Sequence, residues 1–416
     1  MSEDGADQRR RTAEAVMYWM RRRGLTRQVF ADRLGKSLSW VDKIKAGDRQ
    51  LDRLSVLRQI AYVLEVPLEA LIDPDLAKRQ RQCPDEHEIA AVRGALRRYD
   101  AVTNVFRPSG DVLPEPDLAR LERAVHYGWF AFQSANYAAI GGLLPHLIRD
   151  AQAAVWQLDG DDQRTARKWL AWAYHLTDAT AQKLGDAQLA WIAADRGIQV
   201  AEQTGDLTLI ASAARAVARA LLAAHEGHDA LQLIHNAIGR LEPNLAKADA
   251  GLLSEYGMLF LSGSITAARL GLAAEVRDLQ AEALTVATRL GGDANHNWSA
   301  FGPTNVLIHR VSALADMQGA GLVAEAAADI NPVDLNALPR ERRATHLGDL
   351  ARGYLQAGRR DQAAATLLRA DQLAPGEVRC RRQTKDTLGQ LILGYPRGHK
   401  PPAAITTLAK TIGITV

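Results

Sequence analysis

Near the N-terminus, four residues at fixed spacing dictate how the chain can fold locally. Ala31, Gly35, Val41 and Ile44 place a small residue, a glycine and two apolar residues in a fixed order. Two helices that cross steeply over a tight turn need a small residue where their backbones approach and a glycine that tolerates positive φ in the turn. They also need two apolar residues facing inward on the second helix. The spacing therefore predicts such a pair of helices.

The flanking sequence extends this pair to a small helical domain. Apolar residues recur at helical spacing in four short bursts between residues 16 and 64. Gly24 is placed to end the first helix, Thr26 and Ser37 to cap the second and third, and Pro67 to begin a fifth that runs to about Ile72. We therefore predict five helices, with the turn of the motif between the second and the third.

Positive charge is concentrated in the same region. Between residues 9 and 58 there are fourteen Lys and Arg against five Asp and Glu, although the whole chain has a net charge of only +3. A basic patch attracts a polyanion by long-range steering and counterion release. A solvated basic surface is the alternative interpretation of the charge alone.

The segment from about residue 12 to 72 resembles the lambda-repressor-like, Cro-type helix-turn-helix family. The resemblance is carried by Gly24-Leu25-Thr26, Ala31, Leu34-Gly35, Ser37, Val41 and Ile44. It implies that the third helix enters the major groove of double-stranded DNA. The implied base contacts are Leu38, Ser39, Trp40 and Lys43, and the implied phosphate contacts are Arg27, Lys36, Lys45, Arg49, Gln50 and Arg53.

Three of these positions need comment. Lys43 is the best candidate to read guanine, because a cation can donate to the O6 and N7 acceptors. Arg27 stands where the family often carries a phosphate-binding glutamine, and Trp40 is bulky for a recognition helix. Its ring is expected either to contact a thymine methyl group or to pack on a partner.

The rest of the chain is predicted to be a helical repeat array. Residues 73–88 are polar and contain Pro74 and Pro84, which indicates a linker between an N-terminal domain of residues 1–72 and a second region of residues 89–416. From Leu118 onward, glycine-centred turns near residues 185, 227, 271, 320 and 358 recur every 37 to 50 residues or so. Helix pairs at such a period stack into a solenoid because one pair cannot bury its apolar face alone. The predicted fold class is all-α.

One unit, residues 347–375, is similar to a tetratricopeptide repeat. The similarity is carried by Leu350, Ala351, Tyr354, Gly358, Ala363, Leu367, Ala370 and Pro375. The order of the two regions resembles regulators of Gram-positive bacteria related in architecture to peptide-responsive quorum-sensing regulators. The segments 297–305 and 309–311 look like a signature of the high-GC branch of that group.

This resemblance implies a small molecule or peptide bound in the concave face of the array. Amide side chains satisfy backbone groups of a peptide, and aromatic rings supply walls for its side chains. The candidate ligand-binding residues are Asn297, Trp298, Phe301, Thr304, Asn305, His309, Tyr174 and Tyr256. The alternative for these residues is packing between repeats.

Several other classes of protein are not expected. No stretch is apolar enough to span a bilayer and no leader pattern is visible, so a cytoplasmic protein without membrane contact is expected. Cys83 and Cys380 are the only cysteines, and we interpret both as unpaired bystanders. No catalytic, cofactor or metal site is predicted; His225 and His228 lack the spacing of a zinc hydrolase.

The sequence therefore predicts a homodimeric, sequence-specific DNA-binding transcriptional regulator, such as a repressor, that senses a ligand through its repeats. Two alternatives remain at this stage: a constitutive repressor whose repeats only dimerise, and a repeat scaffold that docks a protein partner.

Overall fold

The structure is a computed structural model that describes residues 3–47, 51, 53–73, 82–97, 115–319, 321–396 and 399–414, with side chains from Arg10 onward. These residues form 22 α-helices, two short 3₁₀ helices and no β-strand. The predicted all-α class, a five-helix N-terminal domain followed by a tetratricopeptide-like array, is confirmed.

The N-terminal domain contains the five helices predicted from the apolar spacing. They are α1 (Glu3–Arg22), α2 (Arg27–Arg33), α3 (Leu38–Ala46), α4 (Leu54–Leu64) and α5 (Glu69–Ile72). The Thr26 side chain accepts a hydrogen bond from the Val29 amide at 3.2 Å, and that of Ser37 accepts one from the Trp40 amide at 3.3 Å. Both caps satisfy first-turn amides that have no partner within their helix.

In the first half of the array, each helix after the first packs on the helix that follows it. These helices are α6 (Glu86–Leu96), α7 (Leu118–Gln133), α8 (Tyr137–Gln157), α9 (Gly160–Leu184), α10 (Ala187–Thr204), α11 (Leu207–Ala223), α12 (Gly227–Leu241), α13 (Ala250–Arg269) and α14 (Ala273–Leu290). Alanines dominate the buried faces of α10 and α11, for example Ala190, Ala193, Ala211 and Ala214. Small side chains let neighbouring helices approach closely.

The second half of the array is less regular. It contains α15 (Pro303–Asp316), α16 (Leu322–Ala328), α17 (Pro332–Ala337), α18 (Arg340–Gln356), α19 (Arg360–Leu373), α20 (Pro375–Cys380), α21 (Arg382–Leu393) and α22 (Ala403–Ile412). The unit predicted from the tetratricopeptide pattern corresponds to the α18–α19 pair. Pro375 opens α20 directly after it.

The glycine-centred turns are formed as predicted at three places and differently at a fourth. Gly185, Gly271 and Gly358 adopt φ values of 75°, 76° and 72°, the left-handed conformation that glycine tolerates best. Between α11 and α12 that conformation belongs to His225, with φ of 67°. Gly227 instead starts α12, where a Cβ would lie 2.9 Å from Leu270 Cδ2, so its lack of a side chain serves close packing.

The two ends of the array meet, so the superhelix closes on itself. Lys183 on α9 pairs with Glu341 on α18, and its Nζ lies 2.8 Å from Glu377 Oε1 on α20. A Cβ on Gly376 would lie 1.9 Å from the Ala135 carbonyl oxygen, so α20 reaches the α7–α8 turn only because that residue is glycine. The helices therefore surround a central space.

The interpretation of the cysteines as unpaired bystanders is wrong. Cys83 and Cys380 form a disulfide, with their Cα atoms 5.6 Å apart across a sequence separation of 297 residues. Closure of the array brings the end of α20 beside the residues that precede α6. Sequence separation carries no information about that proximity.

The same segment holds the N-terminal domain through buried charges. Arg22 donates from Nε and Nη2 to the two carboxylate oxygens of Glu88 at 2.7 and 2.6 Å, and from Nη2 to the Cys83 carbonyl at 2.7 Å. Arg23 donates to Asp85 at 2.6 Å and to the Leu64 carbonyl at 2.8 Å. These contacts join the end of α1 to the start of α6.

Within the described ranges, no helix combines the length and apolar character that a bilayer crossing needs.

Candidate functional site

The first candidate surface is the outer face of α3. Val41 and Ile44 are fully buried and fix the helix on the domain, whereas Leu38, Ser39 and Lys43 are exposed. Leu38 retains 38% of its accessible surface. Three of the four predicted base-contact residues therefore share an open face.

Trp40, the fourth, lies elsewhere. Its side chain is 8% exposed and belongs to the apolar core of the N-terminal domain. Little of the ring is left on the outer face of α3. The bulk that makes Trp40 unusual for a recognition helix is accommodated by packing inside its own domain.

The predicted phosphate contacts surround that face where the structure describes them. Lys36, Lys45 and Arg53 are exposed. Arg27 forms a half-exposed ion pair with Asp42, which ties α2 to α3. Arg49 and Gln50 lie outside the described residues.

The second candidate site is a cavity of about 270 Å³ enclosed by the array. Its walls come from α7, α9, α11, α13, α15 and α18, together with residues 297–300. The lining combines apolar side chains with charged and polar ones, and the apolar set includes Trp129, Phe132, Met258 and Ile308.

Residues 293–301 close the cavity by crossing from α14 to α7. The side-chain amides of Gln133 and Asn295 exchange two hydrogen bonds of 2.9 and 3.0 Å, and Gln133 Nε2 also donates to the Trp298 carbonyl at 3.0 Å. Asn297, Trp298 and Ala300 have φ values of 51°, 57° and 51°. Left-handed backbone at three residues that are not glycine costs energy, and such strain clusters at binding sites.

Trp298 anchors this crossing segment. Its ring is stacked on Trp129 with 5.4 Å between centroids and an interplanar angle of 5°, and it meets Trp172 and His126 edge-on. Aromatic pairs at such separations add to the stabilisation that burial already gives. The segment is thus fixed on the opposite wall while part of the Trp298 side chain faces the cavity.

The structure separates the eight predicted ligand-binding residues into two sets. Asn297, Trp298 and His309 line the cavity. Phe301, Thr304, Asn305, Tyr174 and Tyr256 are buried and do not line it. Phe301, for example, fills the notch left by Gly257, where a Cβ would lie 1.9 Å from Phe301 Cζ.

Tyr174 contacts the preceding helix, and Tyr256 packs on a residue of its own helix. The Tyr174 hydroxyl accepts a hydrogen bond from Gln152 Nε2 at 2.9 Å, and the Tyr256 ring lies 5.0 Å from that of Phe260. Thr304 and Asn305 occupy the first turn of α15, where the Thr304 amide donates to Asp293 at 3.0 Å.

Charged side chains around the cavity form pairs that bridge distant helices. On α11, Arg215 donates to Glu255 of α13 at 3.0 Å and Arg219 pairs with Asp178 of α9. Near α18, Lys183 joins Glu341. Burial would raise the pKa of Glu341, but the charges of Lys183 and Arg342 lower it to about 2, so the carboxylate remains ionised.

Two histidines at the cavity are neutral. Burial, with a further contribution from Arg342, lowers the pKa of His309 to about 3. Burial, together with Arg215 and Arg219, also lowers the pKa of His175 well below its ordinary value. His309 Nδ1 lies 2.8 Å from the Asn305 carbonyl oxygen and must be the donor, since a carbonyl only accepts.

Sequence reasoning missed the cationic residues of the cavity. Arg215 and Arg219 are four residues apart within the alanine-rich stretch of α11, so they share one face of a helix that is otherwise apolar. Charges inside a buried helix are costly unless paired or functional. That interruption is the signal that could have identified them.

Comparison with known proteins yields little. No protein-family model matches the chain, and no curated protein matches it. Among solved structures, a match is the crystal structure of Bacillus thuringiensis PlcR in complex with the peptide PapR7 and DNA. It is 16% identical, the match covers 67% of this chain and 95% of PlcR, and the TM-score of 0.31 is too low to support an argument about this chain.

Proposed function

We propose that the protein is a sequence-specific DNA-binding transcriptional regulator whose affinity for DNA depends on a small ligand in the central cavity. The observation that carries the proposal is the exposed face of α3, where Lys43 stands beside Leu38 and Ser39 on a helix capped by Ser37. A short, basic, rigidly held helix of this kind fits the major groove. In this proposal the protein acts as a homodimer in the cytoplasm, where the Cys83–Cys380 disulfide has to withstand reducing conditions, and it catalyses no reaction.

The junction between the two regions supplies a physical connection from ligand to DNA. Glu377, which pairs with Lys183 and Arg381 at the cavity, lies on α20 three residues before Cys380. Cys380 is bonded to Cys83, whose carbonyl accepts a hydrogen bond from Arg22 at the end of α1. A ligand that prefers one position of α20 therefore biases the placement of α3 in a dimer to the extent of that preference.

The DNA-binding part is tested with Lys43→Ala. A preferred duplex is first selected from a random-sequence library with the full chain, and affinities for it and for an unrelated duplex are then measured by fluorescence anisotropy. Loss of a base contact should cost about 1–3 kcal/mol on the selected duplex and relax its sequence preference. The matched control, Lys45→Ala, should weaken both duplexes alike and reduce the salt dependence by about one ion.

Equal losses on both duplexes for Lys43→Ala would remove this residue from base reading. A wild-type chain that ignores duplex DNA at low salt would refute the proposed function as a whole.

A further inference from the structure

Among the described residues that line the cavity, Arg342 is a cation without a direct ion pair, although its charge acts on Glu341. The others are paired as follows: Lys183 with Glu341 and Glu377, Arg215 with Glu255, Arg219 with Asp178, Arg269 with Asp316, Arg352 with Asp316 and Asp349, and Arg381 with Glu377. Arg342 lines the cavity and, in the part of the chain that the structure describes, has no acidic group within ion-pair distance. Its Nε is buried without a hydrogen-bond partner.

A ligand anion would give this guanidinium the charged hydrogen-bond partner that it lacks. The neighbouring acidic residues limit the negative charge that a ligand can carry in the cavity. Asp316, Glu341 and Asp349 line the same cavity and repel a group with two negative charges. A single carboxylate matches Arg342, which has no direct ion pair among the described residues, whereas a phosphate monoester would bring more charge than the site neutralises.

The volume and the remaining lining residues of the cavity indicate the size and the chemical groups of the ligand. Its volume of about 270 Å³ lies just below the range of roughly 300–1,000 Å³ for small-molecule sites, so it suits a compact molecule better than an extended peptide. The stacked rings of Trp129 and Trp298 offer apolar surface for a flat, aromatic group. Since Nδ1 of His309 donates to Asn305, the neutral ring presents Nε2 as an acceptor for a ligand N–H or O–H.

From these contacts we propose that the cavity binds a small aromatic monocarboxylate carrying a hydrogen-bond donor, with its carboxylate on Arg342 and its ring against the tryptophans. The proposal rests on the proposed function, because it names the chemical class of the ligand that the regulator senses.

The test compares acids with their uncharged amides on the full-length protein. Indole-3-acetate, indole-3-propionate and 4-hydroxyphenylacetate are titrated calorimetrically, each beside its amide. At least one acid should bind about tenfold or more tightly than its amide, the size expected for a hydrogen bond to a charged group. In Arg342→Gln that preference should disappear.

The matched control is Arg343→Gln on the same helix. Arg343 donates to Asn336 at 2.7 Å and does not line the cavity, so this variant should keep the preference for the acid. Should Arg342→Gln fail to fold, the wild-type comparison still decides, and affinity for the acid but not the amide should fall as salt rises.

The proposal is overturned if no acid binds more tightly than its amide, if phenyl phosphate binds more tightly than every carboxylate, or if both arginine variants lose the preference equally. The results that would refute the proposed function differ from those that would refute the carboxylate proposal. A carboxylate that binds through Arg342 and leaves DNA affinity unchanged would refute the switch, whereas DNA binding that responds to another ligand would refute only the carboxylate.

Discussion

Two histidine rings at the central cavity are harder to protonate than a histidine in water. His309 and His175 are surrounded by arginines and protein interior, and both effects oppose protonation. A histidine that is neutral when folded but free to take a proton when unfolded couples folding to pH. The contribution of each histidine to the pH dependence of folding can be measured by replacing that histidine.

We expect stability to fall as the solution is acidified from about pH 6.5 towards pH 3. In that window the unfolded chain binds protons at His309, ordinarily near 6.5, while the folded chain, with a pKa of about 3, does not. Acidification therefore favours unfolding, and the contribution of His309 is fully present above about pH 6.5. Urea unfolding of wild type and His309→Gln at several pH values measures it.

His309→Gln should show a shallower dependence on pH over the same window, because one of the protons taken up on unfolding is lost. His175 should still contribute with the same sign. A difference in unfolding free energy between the two proteins that stays constant with pH would contradict this account.

The sequence predicts some elements better than others. Those that depend only on residues nearby in the sequence are predicted well. The turn of the helix-turn-helix, its caps and its inward-facing Val41 and Ile44 depend on neighbours within about ten residues, and they form as predicted. Residues 297–309 are predicted to bind a ligand because they combine amide and aromatic side chains. Which of their side chains face the cavity depends on α7 and α13, which are distant in sequence.

The turn between α2 and α3 gives an element-scale prediction. Gly35 has φ of 63° and open space where a Cβ would stand, so Gly35→Ala adds only the backbone cost of a left-handed alanine, about 1–2 kcal/mol. Thermal unfolding should show this loss, and DNA affinity should fall because α3 is held less rigidly.

A suitable control is Gly94→Ala, also open at Cβ but within α6. A helical glycine costs roughly 0.5–1 kcal/mol relative to alanine, so this change should stabilise the protein. If Gly35→Ala were equally stabilising, the turn would not require left-handed backbone at this position.

The whole molecule depends on contacts that no local pattern encodes. The small angles between successive helix pairs accumulate until the α18–α20 end meets α7 and α9, and this closure places Cys83 beside Cys380. Periodicity predicted the array but not its curvature. The disulfide follows from that curvature, and so does the position of Arg215 and Arg219 at the cavity, although the two arginines stand out within an alanine-rich helix in the sequence.

Reduction of the disulfide should destabilise the closed array. A bond that joins residues 297 apart restricts the unfolded chain strongly, and the chain-entropy view gives an upper limit of about 6 kcal/mol. Guanidinium unfolding of the oxidised protein should shift to lower denaturant when a reductant is added. Thiol labelling before and after reduction establishes the starting state.

The double variant Cys83→Ser with Cys380→Ser should unfold like the reduced wild type and ignore the reductant. A transition of the oxidised wild type that does not move on reduction would mean that the bond adds nothing to stability.

The contact between the two ends of the array also limits how such a protein can evolve. An open solenoid gains or loses a unit at little cost, because each unit contacts only its neighbours. Here an inserted or deleted helix pair would part Lys183 from Glu377 and remove the wall that faces Trp298. The number of units is therefore fixed by geometry, and diversification of this architecture has to proceed through substitutions that face inward.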